Sequence, residues 1–247
     1  MITDPNFYAV AVVAVLLMGL AKSGFLGGFG SMATPLLALA VPVPQAAAIM
    51  LPLLLVMDAV GIQQLWRERD RALLALLLPA GLVGTLVGWA LFGLLSAKAV
   101  AAVVGALTLG FLAQRLLFAP RRDGAAPSRV VGRSLAVVSG FTSFVAHAGS
   151  PPIQAYVLPL KLDPLRVAAT MAVFFGAVNL SKWIPYALLG LLDTRNLLTS
   201  LMLVPLAPLG VWVGVRALKR IDARWFYRLA YAGMAATGSK LLWDGLS

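Results

Sequence analysis

The stretch GLAKSGFLGGFGS, residues 19–31, interrupts an apolar run with five glycines, a lysine and two serines. A second break, FTSFVAHAGSPP at residues 141–152, lies at the corresponding place in the second half of the chain. Non-helical backbone at membrane depth persists only where protein buries it or where it lines a water-filled cavity. Two such breaks in matching places therefore predict a pair of broken membrane helices with a binding site between them.

The composition is that of a membrane protein. The 247 residues are 61% hydrophobic and 12% charged, with a mean hydropathy of +0.92, whereas soluble domains carry about 25% charged residues. The first residues, MITDPNF, include an acid and no base, so we expect the first apolar segment to be retained rather than cleaved as a signal peptide. The chain has no cysteine, which excludes disulfides and thiolate metal sites.

The formal net charge is +11, and the positions of the basic residues indicate whether they serve membrane topology or nucleic-acid binding. The lysines and arginines fall mainly in short loops between apolar segments. This pattern is typical of the cytoplasmic loops of membrane proteins rather than of a nucleic-acid-binding surface. No nucleic-acid partner is expected.

Apolar runs and their breaks predict an all-α polytopic membrane protein made of two repeats. Each repeat consists of a re-entrant, broken-helix hairpin and three transmembrane helices. The first repeat covers residues 1–118, a cytoplasmic linker covers 119–130, and the second repeat covers 131–247. The predicted elements are hairpins at 7–41 and 131–160 and helices at 45–65, 72–94, 98–118, 165–190, 197–217 and 224–243.

Comparison of the two halves indicates that the repeats are inverted. Gly84 and Gly88 align at one offset with Gly210 and Gly214. In the first half the basic loop precedes the helix at 72–94, whereas in the second half it follows the equivalent helix. We therefore expect opposite orientations in an inner membrane, with both termini periplasmic and most basic loops cytoplasmic.

Each break is expected to contain a helix N-terminus near the middle of the membrane. Ser31 is a candidate cap for the first return helix, with Thr34 as the alternative, and Ser150 is a candidate cap for the second. Converging helix starts with closely approachable glycine backbone would form an anion cradle. The alternative is that these glycines serve only tight helix packing. The tip residues assigned to substrate binding are Gly28, Phe29, Gly30, Ser31, Gly149, Ser150 and Pro151.

Ionisable residues inside membrane spans are costly and usually functional. Lys22 and Asp58 have similar expected depths, so they are candidates for an ion pair or coupling site, with a purely structural pair as the alternative. Asn179 and Lys182 lie in the equivalent helix of the second half and are assigned to substrate binding. Lys182 is expected to contact an anion directly, the alternative being that it snorkels toward the outer interface.

His147 is the only histidine and lies in the second break. It is assigned to substrate binding, either as a donor to a substrate oxygen or as a titrating group in proton coupling, with a structural histidine as the alternative. One histidine without cysteine predicts no metal site. The sequence also has no apparent set of nucleophile, base and orienting group, so neither enzymatic activity nor a cofactor is expected. Aromatic residues near both tips indicate an apolar wall for an organic anion or ordinary helix packing.

Four stretches of the chain form a recognisable set. They are GFLGGFGSMATPLL at 24–37, VPVPQAAAIMLPLLL at 41–55, HAGSPP at 147–152 and DPLRVAATMAVFF at 163–175. Together they resemble the sulfite exporter TauE/SafE family of membrane permeases. The resemblance implies secondary transport of sulfur-containing anions such as sulfite, sulfonates and sulfoacetate, and a related branch takes up 4-toluenesulfonate. It also implies that the two tips line the substrate path.

The sequence thus predicts a secondary transporter that moves a sulfonate or related sulfur oxyanion by alternating access. The expected partners are this small anion, membrane lipid and a coupling proton or sodium ion. An anion channel with the same central site and a membrane assembly factor without transport are the alternatives.

Overall fold

The structure is a computed structural model that describes residues 2–24, 30, 33–92, 94, 96–117 and 128–246. Within these residues the chain forms helices and connecting turns and contains no strand. The helices are α1 (Pro5–Lys22), α2 (Ala33–Leu37), α3 (Val43–Leu65), α4 (Arg71–Ala90), α5 (Ala97–Leu117), α6 (Arg129–Ala146), α7 (Ser150–Val157), α8 (Pro164–Ser181), α9 (Trp183–Leu188), α10 (Thr194–Leu203), α11 (Leu206–Leu218) and α12 (Ala223–Leu246). The all-α prediction is confirmed.

Four of the described helical segments are long and apolar enough to cross a membrane: α1, α3 with its following turn, α4, and α8 with α9. The pair α10 and α11 meets the same criterion when it is counted as one broken span. About 20 residues at 1.5 Å per residue match a hydrocarbon core of about 30 Å. The prediction of a polytopic helical membrane protein is therefore confirmed, while the number of six spanning helices stays a prediction.

Two predicted single helices are broken near prolines. Residues 197–217 form parts of α10 and α11, which are bent by 44°, because Pro205 has no N–H to donate and its ring crowds the carbonyl one turn earlier. Residues 165–190 form α8 and α9, which separate at Lys182 because Pro185 cannot donate to the preceding turn. The helix predicted at 197–217 is therefore bent, whereas the helix predicted at 165–190 still corresponds to one candidate membrane span with a one-residue interruption. The interruption between α8 and α9 leaves Lys182 at the junction of these two helices.

The predicted hairpins correspond to two pairs of a long helix and a short helix. α1 packs against the five-residue α2, and α6 packs against α7. In the second tip α6 ends at His147, whose φ of 52° reverses the chain before α7 begins at Ser150. In the first tip Gly28, Phe29 and Ser31 lie outside the described residues. Because α1 alone is long enough to cross a membrane, the re-entrant course of this hairpin stays a prediction.

Glycines determine how closely the helices pack. Where α4 crosses α6, a Cβ added to Gly84 would lie 2.0 Å from the carbonyl oxygen of Val137. Where α1 crosses α11, a Cβ added to Gly19 would lie 2.8 Å from the Cα of Gly210. Close backbone approach at small residues is a common mode of helix association in membranes. Tight packing is therefore one use of the glycines in this chain.

Replacement of Gly84 with alanine is expected to lower the thermal unfolding midpoint by about 5–10 °C, a cost of about 2–3 kcal/mol. The added methyl group would overlap a backbone oxygen, which moves only if α4 and α6 separate. Gly110→Ala is the matched control, because nothing lies within 4 Å of a Cβ at that position of α5 and alanine favours helix. Thermal unfolding in detergent measures both variants, and equal midpoints would contradict the packing described here.

Candidate functional site

A cavity lies among α1, α3, α8, α12 and the tip between α6 and α7. The space in it that water-sized molecules reach is about 70 Å³, several times the roughly 10–15 Å³ that one water requires. Gly30 of the first tip and Ser150 of the second both contribute to its wall. The polar side chains that line it are those of Lys22, Ser143, His147, Ser150, Gln154 and Asn179.

Lys22 and Asp58 form the ion pair that the sequence proposed as a candidate. Lys22 is the last residue of α1, and its Nζ lies 2.7 Å from Oδ1 of Asp58 on α3. The Asp58 side chain is 2% exposed and that of Lys22 is 11% exposed, toward the cavity. The Lys22 ammonium also lies 4.9 Å from the ring centroid of Phe175, within cation–π range. The cavity wall therefore carries a cation that is held by one carboxylate and one aromatic face.

Asn179 connects this ion pair to the second half of the chain. Its Nδ2 donates to Oδ2 of Asp58 at 2.6 Å, and its Oδ1 accepts from Nζ of Lys182 at 2.8 Å. Each end of the amide thus has a charged partner of the appropriate sign. Asn179 fixes the orientation of the Asp58 carboxylate and joins α3 to α8.

Lys182 is enclosed behind the cavity wall. Its Nζ donates to the carbonyl and the hydroxyl oxygen of Ser143, both at 2.7 Å, and to Oδ1 of Asn179. It also lies 3.1 Å from Nδ1 of His147. The side chain is fully buried, so it does not snorkel, and it is not among the residues that line the cavity. The structure brings Lys182 to the site as a support for lining residues, which differs from the direct contact that the sequence predicted.

His147 has both ring nitrogens bonded within the protein. Its Nε2 lies 3.0 Å from the carbonyl oxygen of Ala47, and because a carbonyl only accepts, this nitrogen carries the proton. Nδ1 then faces the Lys182 ammonium, whose three hydrogens are shared among four acceptor atoms. The ring is 7% exposed. In this arrangement His147 has no free N–H for a substrate. Its hydrogen bond to Ala47 joins the second tip to α3.

The second tip differs from the predicted cradle of backbone amides. α7 begins at Ser150 with Gly149 as its N-cap, so Ser150 is not the cap that the sequence predicted. Pro151 and Pro152 follow in the first turn and remove two of the N–H groups that a helix start otherwise offers to an anion. The Gly149 carbonyl accepts from Oγ of Ser139 at 2.6 Å. Neither Gly149 nor Pro151 is among the lining residues, so the polar contacts available here come from side chains.

Two polar residues of the cavity wall, Ser143 and Gln154, were missing from the sequence prediction. The Ser143 hydroxyl accepts from Lys182 and keeps its own hydrogen for donation. Gln154 Nε2 donates to Ser150 Oγ at 2.7 Å, while its buried Oε1 has no partner among the described residues. A signal was present in the sequence, since Ser143 precedes His147 by four residues and Gln154 follows Ser150 by four, a spacing that places helical side chains on one face.

A multi-pass helical protein that encloses a polar cavity between broken helices, with buried charges at its wall, has the architecture of a membrane transport protein. This chain belongs to the sulfite exporter TauE/SafE family, whose model matches residues 11–241. The family consists of membrane transporters of sulfite-type anions rather than enzymes. No curated protein and no solved structure matches the chain. This match confirms the family that the four sequence stretches indicated.

Proposed function

We propose that the protein is a secondary transporter that moves a sulfur oxyanion, an organosulfonate or sulfite, across the cytoplasmic membrane by alternating access. The cavity beside Lys22 is its anion site. Family membership supports the substrate class. The distribution of basic loops supports an orientation with both termini in the periplasm.

The balance of charge around the cavity carries this proposal. Lys182 is fully buried, Lys22 is nearly so, and Asp58 is the only buried acid in the described part of the chain. With both lysines protonated, two ammonium groups against one carboxylate would leave a net charge of +1, and an uncompensated buried charge costs several kcal/mol. An anion in the cavity would offset this charge, and Lys22 is the cation that it would reach.

The cavity wall favours an anion with an oxygen-rich head and an apolar body. The Lys22 ammonium, the Ser143 hydroxyl and the Gln154 amide supply hydrogen-bond donors. The two ends of an amide are nearly isosteric, so Gln154 presents Nε2 to a bound oxygen after a half turn. Most of the remaining wall is apolar and includes Met171 and Phe175. This combination suits an organosulfonate.

The helix packing supports the inverted repeats that the sequence predicts. A Cβ on Gly84 would lie 2.0 Å from the Val137 carbonyl oxygen, and a Cβ on Gly210, the aligned glycine, would lie 3.2 Å from the Leu16 carbonyl oxygen. Leu16 and Val137 are 121 residues apart. The contact between α4 and α6 thus has a counterpart between α11 and α1, which is expected of two halves related by a two-fold axis.

The same separation of 121 residues relates Asp58 to Asn179, and these two side chains are bonded to each other. A residue pair that is equivalent by symmetry and in direct contact lies at the symmetry axis. We place the axis of the two repeats at this bond, next to the cavity. Exchange of conformation between the halves would then open one site first to one face of the membrane and next to the other.

Calorimetric titration of the purified protein tests the proposal. We expect 4-toluenesulfonate or sulfite to bind with 1:1 stoichiometry and chloride, which has no oxygen acceptors, to bind more weakly. Gln154→Leu should weaken binding about tenfold, because a hydrogen bond to a charged group contributes about 1.5 kcal/mol. Saturable counterflow of the bound anion in proteoliposomes would then support a carrier rather than a channel.

Gln63→Leu is the matched control, because Gln63 is an exposed glutamine of α3. Its anion affinity should equal that of the unmodified protein. Absence of binding by every sulfur anion tested would contradict the proposed function. Equal affinity of the Gln154→Leu variant and the unmodified protein would contradict the assignment of the cavity.

A further inference from the structure

The Lys22–Asp58 ion pair lies where a bound anion must compete for it. Lys22 is the only charged side chain among the described lining residues of the cavity, and its Nζ bonds to Asp58 Oδ1 at 2.7 Å. An anion that takes the Lys22 ammonium as its partner weakens or replaces that bond. Asp58 then retains a buried negative charge without its cation, which is strongly unfavourable.

The other groups that face Asp58 do not replace Lys22. Asn179 is neutral and already bonds to Oδ2, and Lys182 lies beyond Asn179, with its three hydrogens directed at Ser143, Asn179 and His147. The other charged side chains on the described helices that pack against α3 are exposed; these residues are Arg129, Arg133, Arg166, Arg195 and Arg216. No second cation in the described part of the chain is positioned to neutralise Asp58.

We propose that Asp58 is the proton-binding site of a proton–anion cotransport cycle, an inference that rests on the proposed function. When an anion binds Lys22, Asp58 takes up one proton that reaches it from the bulk solution through the cavity, and an O–H bond forms on its carboxylate. The proton is released again when the anion leaves and Lys22 returns to Asp58. The Lys22–Asp58 ion pair therefore couples binding of the anion to binding of the proton.

The charge of the site agrees with a ratio of one proton to one monovalent anion. With both lysines protonated, the empty site of Lys22, Lys182 and Asp58 would have a net charge of +1. Addition of a sulfonate and a proton leaves that charge unchanged. Loaded and empty sites then carry the same charge through the membrane, so the cycle is electroneutral.

The bonds around Asp58 also indicate which oxygen takes the proton. Oδ2 accepts from Asn179 Nδ2 at 2.6 Å and stays occupied when Lys22 moves. Oδ1 loses its partner when Lys22 moves, and Lys22 is the residue that separates this oxygen from the cavity. The proton therefore binds Oδ1.

The test is the number of protons taken up per 4-toluenesulfonate bound, a ligand that stays monovalent near neutral pH. Calorimetric titration in buffers of different ionisation enthalpy gives this number directly. We expect about one proton per sulfonate for the unmodified protein and close to zero for Asp58→Asn, which keeps the contact with Asn179 and still binds the anion. Asp244→Asn is the matched control, since Asp244 pairs with Lys240 in a partly exposed ion pair outside the lining of the cavity, and it should keep the value of about one.

Sulfonate binding to the unmodified protein without proton uptake would overturn the coupling proposal and leave the proposed function intact. Proton uptake by Asp58→Asn equal to that of the unmodified protein would also overturn it. Absence of any sulfonate or sulfite binding would instead contradict the proposed function, and the coupling with it.

Transport by the unmodified protein gives a second readout that does not depend on the stability of a variant. In proteoliposomes an inward proton gradient should drive accumulation of 4-toluenesulfonate, whereas a membrane potential alone should not. Accumulation that follows the potential and ignores the proton gradient would overturn the proposal.

Discussion

Replacement of Lys22 with methionine is expected to weaken sulfonate or sulfite binding by about 100-fold, because loss of one partner of a buried charge contact costs about 2–5 kcal/mol. The variant removes the cation that the anion would contact, and no other charged side chain among the described lining residues of the cavity replaces it. Calorimetric titration of the purified variant measures the change.

The double variant Lys22→Met with Asp58→Asn separates loss of the site from loss of the fold. Lys22→Met alone should lower the thermal unfolding midpoint, because Asp58 is left buried without its cation. The double variant should recover the midpoint and still fail to bind the anion. Lys240→Met removes a more exposed lysine and is the control for a change of one charge. Binding by Lys22→Met within threefold of the unmodified protein, on the order of 0.6 kcal/mol, would remove Lys22 from the site.

Replacement of Lys182 with methionine is expected to lower the unfolding midpoint by about 6–12 °C, equivalent to about 3 kcal/mol for a chain of this size. The substitution leaves the Ser143 carbonyl, the Asn179 Oδ1 and the His147 Nδ1 without their shared donor in a buried environment. Affinity for the anion should fall as well, because Ser143 and Asn179 line the cavity. Thermal unfolding in detergent and anion titration measure the two effects.

Lys219→Met provides the comparison, since Lys219 is an exposed lysine at the end of α11. Its midpoint and its affinity should both match the unmodified protein. A Lys182→Met variant with an unchanged midpoint and unchanged affinity would show that the hydrogen bonds around Lys182 do not support the cavity.

Under the proposed inverted repeats, the two halves of the site would be equivalent in position and different in chemistry. At the separation of 121 residues that relates Asp58 to Asn179, Lys22 corresponds to Ser143 and Gly61 corresponds to Lys182. The first half thus has its lysine on the hairpin helix and its acid on the next helix. The second half has a serine and an amide at those places and its lysine one turn further along. This difference would leave the net positive charge on which the proposed anion binding depends.

The residues that interrupt the apolar runs were sufficient to predict which polar side chains the fold brings together. Lys22 and Asp58 were predicted as a pair from their expected depth in the membrane, and they form one. Asn179 and His147 were also predicted, and they join the same network. Depth along a helix follows from residue number, so polar residues of similar depth are recognisable before the fold is known.

The direction in which each side chain points could not be predicted from the sequence. Lys182 was expected to reach the anion, but the break before Pro185 turns it toward Ser143 and encloses it. Ser150 was expected to cap α7, but proline is accepted at later positions of the first turn too, and the helix begins one residue earlier than a serine cap requires. Such outcomes depend on helix rotation and on contacts between distant segments, which the local pattern does not contain.

The bend between α10 and α11 differs from these cases, because prolines in the sequence indicate it. Pro205 and Pro208 lie inside the apolar run at 197–217, and the run was nevertheless predicted as one helix. Membrane helices tolerate proline when neighbouring groups satisfy the freed carbonyls, so proline alone does not decide between a straight span and a broken one. The 44° bend shows that this span is broken.

A sulfur oxyanion bound in the cavity beside Lys22 would be visible by anomalous scattering. Crystals of the protein would be soaked with selenite, the heavier analogue of sulfite, and measured at the selenium absorption edge. We expect an anomalous peak in the cavity, with selenite oxygens about 2.7–3.2 Å from Lys22 Nζ and from the Ser143 hydroxyl. Well-ordered selenite elsewhere on the protein, with none in this cavity, would contradict the assignment of the anion site to this cavity.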